Sequence, residues 1–149
     1  MRAGKVSFAV VNVACALHLT FDYVGTISAT IGPSMLPTIA DHGDFVLEDR
    51  ISVLLNPTTF VRGELITFKS PQDPTKIVCK RIIGLPGDTV CVDPSGRQAP
   101  SDGYVLIPRG HLWVTGDNLP YSRDSRTYGP VSMGLVRSRL FARVRLIDS

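Results

Sequence analysis

Cysteine, aromatic side chains and an excess of charge of either sign are all scarce in this 149-residue chain. Its three cysteines, Cys15, Cys79 and Cys91, show no C-x-x-C spacing and no neighbouring histidine cluster, which gives no support to a zinc knuckle or a disulfide framework. Aromatics are 7% of the residues, and sixteen Lys and Arg against thirteen Asp and Glu leave a net charge of +3. There is therefore no basic, aromatic-studded surface to take nucleic acid. Internal repeats and long linkers are missing too, although thirteen glycines and eleven prolines predict a turn-rich fold. The length suits one domain of ordinary size and leaves no room for a second large one.

The chain does have an uncharged apolar start. Val6 to Phe21 (VSFAVVNVACALHLTF) carries no acid, lysine or arginine and follows Arg2 and Lys5. Sixteen residues fall short of the roughly 20 that cross a bilayer. A tilted span is expected to be completed by Asp22 at the interface, with His18 and Asp22 on one helix face, and by the mostly apolar Tyr23 to Ile31, which makes residues 1–31 a membrane anchor. A cleaved signal peptide ending near Ala14-Cys15-Ala16 and an ordinary core helix are the alternatives. No Lys or Arg occurs from Val6 to Asp49, whereas five acids lie beyond Phe21 in that stretch. This asymmetry keeps the N-terminus inside and exports the remainder.

Downstream, short apolar stretches alternate with turn signals such as Arg62-Gly63-Glu64 and Pro86-Gly87-Asp88, the pattern of an all-β module. Strands are expected at Phe45–Glu48, Leu65–Lys69, Lys76–Ile83, Thr89–Val92, Tyr104–Ile107, Leu112–Thr115 and Leu135–Leu146. In the last, Arg137, Arg139, Arg143 and Arg145 recur with a period of two and predict a solvated basic face. Asp93 to Gly103 is the best candidate for a mobile surface loop.

Three segments carry candidate chemistry. In GPSMLPT, Gly32, Pro33 and Pro37 constrain the backbone around Ser34, a poor nucleophile unless a base accepts its proton. His42 and His111 have no evident acid partner in a triad-like motif. In KRIIGLPGD, strand alternation puts Lys80 on one face with Val78 and Ile82, and Arg81 on the other with Cys79 and Ile83. A lysine acts as a base only if burial lowers its pKa from about 10.4 towards 7 to 8, at a cost of about 4 kcal/mol. The plainer alternative is that both cations snorkel from a strand edge. The third segment, GDNLPYSRDSRTYGP, concentrates acids, arginines, serines and an asparagine in one loop, which suggests a fixed polar scaffold.

Taken in order, these segments resemble the type I signal peptidases, the membrane-bound Ser/Lys endopeptidases. GPSMLPT looks like that family's nucleophile motif, KRIIGLPGD its base motif and GDNLPYSRDSRTYGP its scaffold motif, while RGELITF at 62–68 is similar to the strand before the base. The resemblance covers roughly Gly32 to Arg143. It implies a mainly β fold, with a signal-peptidase-like catalytic domain at 32–149 behind one N-terminal transmembrane helix. It implies Ser34 as nucleophile, Lys80 as general base, Ser122 as the hydroxyl orienting the lysine ammonium, and Asp124 and Arg126 as a bracing ion pair, with no metal and no cofactor. Some bacterial members carry a serine at the position of Gly32, so the backbone N–H of Ser34 is the first oxyanion donor expected.

Within the family, Lys80 is unlike the endoplasmic-reticulum branch. Only about 27 residues separate Asp88 from Gly116, and the FDYVGTISATIGPSMLPT spelling resembles the mitochondrial inner-membrane branch, as its first catalytic subunit. That likeness implies presequence-bearing preproteins as substrates, contact with membrane lipid, a second subunit of the same complex as partner, and a catalytic domain facing the intermembrane space. A bacterial-type signal peptidase and a non-catalytic membrane-anchored β module are the alternatives. A repressor-type Ser/Lys autoprotease would need a DNA-binding region, and the chain shows only its apolar start.

Overall fold

Alternation of apolar and polar residues along short stretches is realised as an antiparallel sheet in the computed structural model, which describes residues 2–19, 25–97 and 103–145. Its strands are β1 (Gly25–Ala29), β2 (Asp44–Asp49), β3 (Leu65–Lys69), β4 (Ile77–Gly84), β7 (His111–Thr115), β8 (Val131–Ser132) and β9 (Val136–Arg145). They lie in the order β1-β2-β9-β3-β4-β7-β8, and β5 (Thr89–Cys91) pairs with β6 (Tyr104–Leu106) as a separate ribbon. Among the described residues the α-helices are α1 (Arg2–Leu19), α2 (Ile51–Leu55) and α3 (Ser125–Tyr128). The long β9 binds β2 on one edge and β3 on the other, so it joins the two halves of the sheet.

The expected strands appear with their ends moved by at most one residue. The anchor is different. Helix α1 stops at Leu19, and no helix among the described residues is long and apolar enough to cross a membrane. At 1.5 Å per residue its eighteen residues reach only about 27 Å, and Arg2, Lys5, Asn12 and His18 dilute its apolar character. The expected continuation of the span to Ile31 is overturned, because Gly25–Ala29 pairs with β2 along its whole length, Thr26 opposite Glu48 and Ser28 opposite Val46. A strand suits these residues: Thr26 and Ile27 are β-branched, and Gly25 lets the chains close up, since a Cβ there would stand 2.6 Å from the carbonyl oxygen of Glu48. Strand β1, which precedes residue 32, is thus part of the sheet. Asp22, placed at the membrane interface above, lies outside the described residues.

One core collects Phe60, Ile66, Phe68, Ile82, Leu112, Val114 and Val131, with partly buried Val78 against it. A smaller one holds Met35, Ile39 and Val46, covered by Leu65, Cys79 and Leu140. The site lies between them. Two surface expectations change. On the basic face of β9, Arg143 and Arg145 reach the buried carboxylate of Asp44 and Arg139 reaches Glu64, so these side chains are partly engaged rather than simply solvated. Asp93, read above as the start of a mobile loop, is fully buried beside Arg126, while residues 98–102 of that loop lie outside the described residues.

Candidate active site

Gly32 introduces the serine segment with φ +117°, a left-handed conformation open to glycine and strained for a side chain. A 3-10 turn at Pro33–Met35 follows, with Met35 buried in the smaller core and Ser34 half-buried. Two hydrogen bonds from one residue hold this turn in place: the Asn118 backbone N–H donates to the Ser34 carbonyl at 3.1 Å and Asn118 Nδ2 to the Pro33 carbonyl at 2.9 Å. Gly116, at the end of β7, makes the approach possible. A Cβ there would meet the Ser34 carbonyl oxygen at 2.4 Å and Ser122 Oγ at 2.3 Å.

Lys80 enters from β4. It pairs in register with Ile66 and shares its face with Val78 and Ile82, so its stem runs through apolar surroundings and only 4% of the residue is exposed. Its ammonium nitrogen ends 2.6 Å from Ser34 Oγ. Burial lowers the Lys80 pKa from its ordinary value, against the attraction of Cys79, Asp124 and Asp117. Burial also pushes the Cys79 thiol up to about 12, so Cys79 is uncharged at neutral pH and only the two aspartates then oppose the lowering.

Asp124 and Arg126 form a bidentate pair, Nε to Oδ1 and Nη2 to Oδ2, both at 2.9 Å, with both side chains almost fully buried. Asp124 also caps α3 by accepting the Arg126 backbone N–H, and it accepts the Gly116 N–H at 3.0 Å. Arg126 Nη2 also donates to the carbonyls of Leu119 and Ser122. Burial alone would raise the Asp124 pKa; hydrogen bonds from Arg126, Ser122 and the Gly116 N–H outweigh it and hold the carboxyl below its ordinary value.

Ser122 is buried beside this pair. Its hydroxyl accepts the Gly116 N–H at 3.1 Å and bonds the Asp124 carboxylate. Lys80 has its hydrogen bond to Ser34 instead, with none to Ser122 among the described residues. The structure thus places this hydroxyl between the Gly116 N–H and the Asp124 carboxylate. His42 pairs with Asp41 on the surface and His111 Nδ1 bonds the Arg109 carbonyl; neither lines the cavity beside Ser34.

The serine and the buried lysine thus meet at one cavity, and the polar scaffold holds the serine turn through Asn118. Against known families, residues 3–98 and 94–145 match the one described as signal peptidase, peptidase S26. The chain belongs to the S26 signal peptidase family. It is 42% identical over 140 residues to mitochondrial inner membrane protease subunit 1 of Schizosaccharomyces pombe, spanning 94% of this chain and 86% of that protein. Against the human protein of the same name identity is 40% over 134 residues, covering 90% and 78%. A crystal structure of a signal peptidase I from Enterococcus faecalis aligns at 27% identity over 56% of this chain and 97% of its own, with a TM-score of 0.45.

For this S26 peptidase the sequence reading overlooked a second set of supporting residues. Arg81 and Asp117 form another bidentate pair, at 2.8 and 2.6 Å, which reaches Thr38 behind the serine turn and the Gly63 carbonyl. Both lie inside motifs already singled out, Arg81 directly after Lys80 and Asp117 directly after Gly116. Asn118 adds the clamp on the serine turn. The signal available was the joint presence of a cation and an acid in two motifs that the site brings together.

Proposed function

We propose that this S26 peptidase is a serine endopeptidase in which Ser34 is the nucleophile and Lys80 the general base. The observation that carries the reading is the 2.6 Å contact between Ser34 Oγ and a lysine whose charged form burial disfavours. Neutral Lys80 takes the Ser34 proton as Oγ attacks the scissile carbonyl. The resulting ammonium returns that proton to the leaving amine, and water, deprotonated in turn by Lys80, hydrolyses the acyl-enzyme. The Ser34 backbone N–H makes no hydrogen bond among the described residues and is the oxyanion donor at hand. Asp124 and Arg126, with Ser122, hold the loop that carries Gly116.

The substrate lies extended in the cavity between residues 28–32 and 77–80. β4 pairs with β3 through Ile77–Arg81, whereas β7 pairs only with residues from Arg81 onward. One edge of residues 77–80 is therefore open to a peptide backbone. The relatives' names support protease action at the mitochondrial inner membrane, and the substrates in this reading are presequence-bearing preproteins. The protein named subunit 2 in Saccharomyces cerevisiae, 39% identical over 114 residues, supports a partner of the same family. Exposed Phe8, Val10, Val13 and Leu17 on α1 offer apolar surface to membrane lipid. The domain faces the intermembrane space, as the charge asymmetry indicates; protease added after rupture of the outer membrane should digest it, and full protection would refute that orientation.

The test of the chemistry is cleavage of a presequence peptide by the full chain in detergent. Ser34→Ala and Lys80→Arg should each lower kcat/KM by at least about a thousandfold, and the double variant should be no worse than either, because nucleophile and base act as one unit. Activity retained in Lys80→Arg would remove lysine from the reaction, since a guanidinium does not deprotonate in proteins.

A further inference from the structure

The cavity of ≈ 320 Å³ beside Ser34 has two chemically different ends. Next to the serine, Met35, Ile39 and Val46 make an apolar wall. Two residues farther along β2, on the same buried face as Val46, Glu48 brings a carboxyl group to the cavity although only 5% of the residue is exposed. Its Oε2 lies 2.5 Å from Ser138 Oγ and 3.2 Å from Thr67 Oγ1, and the two hydroxyls are 2.5 Å apart. Both hydroxyl hydrogens and one carboxyl oxygen are consumed in this triangle. Oε1 accepts no hydrogen bond among the described residues, and it is not among the polar atoms sealed away from contact without a partner. It therefore keeps some exposure, and Glu48 lines this cavity together with its partner Thr67.

Burying a carboxyl group at this place is costly unless its remaining acceptor is served. Water can serve it while the cleft is empty, but a substrate that fills the cleft displaces water and must supply the donor itself. In an extended chain, side chains two residues apart point the same way about 7 Å apart, the same step that separates Val46 from Glu48 along β2. A substrate strand that sets one side chain against the apolar wall beside Ser34 sets the side chain two residues away over Glu48. Arg50 and Arg137 stand on the cavity wall as well and disfavour a cation there.

We propose that Glu48, held by Thr67 and Ser138, is a specificity-determining residue: two positions from the substrate residue at the scissile bond, it selects a neutral side chain that donates a hydrogen bond, a hydroxyl or a primary amide. The inference rests on the reading of Ser34 and Lys80 as the cutting pair.

The test uses the full chain in detergent and one parent peptide, varied at each of the three residues on either side of the cut with the near-isosteric pairs Thr/Val and Asn/Leu, and with Asp and Lys. At the position two residues from the one at the cut, on one side, Thr and Asn should exceed Val and Leu at least tenfold in kcat/KM, with Asp and Lys both poor. In Glu48→Leu the order at that position should reverse. The wild-type comparison decides the matter even if Glu48→Leu fails to fold. Equal rates for Thr and Val and for Asn and Leu would overturn the proposal, a preference for Asp would assign the selection to the arginines, and a preference for Lys would refute a neutral guest. Cleavage that persists in Ser34→Ala would instead overturn the cutting pair, so the two failures are distinguishable.

Discussion

Two arginine–aspartate pairs stand on either side of the serine turn, alike in bidentate geometry and different in surroundings. In Arg126–Asp124 the side chains are 2% and 0% exposed, and Arg126 also faces Asp93 at 3.8 Å and two backbone carbonyls. In Arg81–Asp117 they are 27% and 15% exposed, and the guanidinium ends at Thr38, four residues past Ser34. Removing one partner of the buried pair leaves a charge with nowhere to be solvated, whereas the outer pair still reaches water. The inner pair therefore holds the fold of the scaffold loop, and the outer one aligns the serine turn upon it.

The largest expected effect is on the inner pair. Arg126→Ala or Asp124→Ala should cost about 3 to 5 kcal/mol, which thermal unfolding of a chain this size would register as a fall in Tm on the order of 10 °C. An inactive variant with unchanged Tm would move the pair from scaffold to chemistry. Because hydrogen bonds hold the Asp124 carboxyl below its ordinary value, the folded state binds fewer protons than the unfolded one there. Its contribution is complete at neutral pH and is lost as pH falls below the ordinary carboxylate range.

The outer pair should give the opposite ratio of effects. Arg81→Ala or Asp117→Ala should cost only about 1 kcal/mol of stability while lowering kcat at least tenfold, measured by denaturant unfolding beside steady-state kinetics. Comparable losses of stability from both pairs would erase the distinction drawn between them.

The smallest effect has the opposite sign. Lys80 is buried with its pKa lowered, so the folded state again binds fewer protons than the unfolded state. Its burial costs stability below the lowered value, and the cost fades as pH rises from there to the ordinary 10.5. Lys80→Met should be inactive yet more stable than the parent at neutral pH, by on the order of 1 kcal/mol. A destabilised Lys80→Met would mean that the ammonium is well accommodated, and therefore poorly suited to act as a base.

Much of this site was legible in the sequence because it resides in contiguous segments. Strand alternation put Lys80 among Val78 and Ile82, and a three-residue stretch held both Asp124 and its partner Arg126. Contacts between segments were not legible. Nothing local announces that Arg81 meets Asp117, that Ser122 meets the Gly116 N–H, or that Glu48 meets Ser138 ninety residues away. The strand β1 was hidden for another reason: Gly25–Ala29 continues an apolar run, and hydropathy alone does not separate the end of a membrane helix from a sheet edge. Asp93 misled in the same way, since an acid in a Pro- and Gly-rich stretch reads as solvent until a buried guanidinium is found beside it.

The most direct test of the central claim is the pH dependence of kcat/KM for a presequence peptide with the wild-type chain. If buried Lys80 is the base for Ser34, activity should rise with pH through an apparent pKa well below that of a free lysine, and Asp124→Asn, which removes a charge favouring the ammonium, should shift that pKa lower still. A rise at the pKa of an ordinary lysine, or a limb that stays in place in Asp124→Asn, would contradict it.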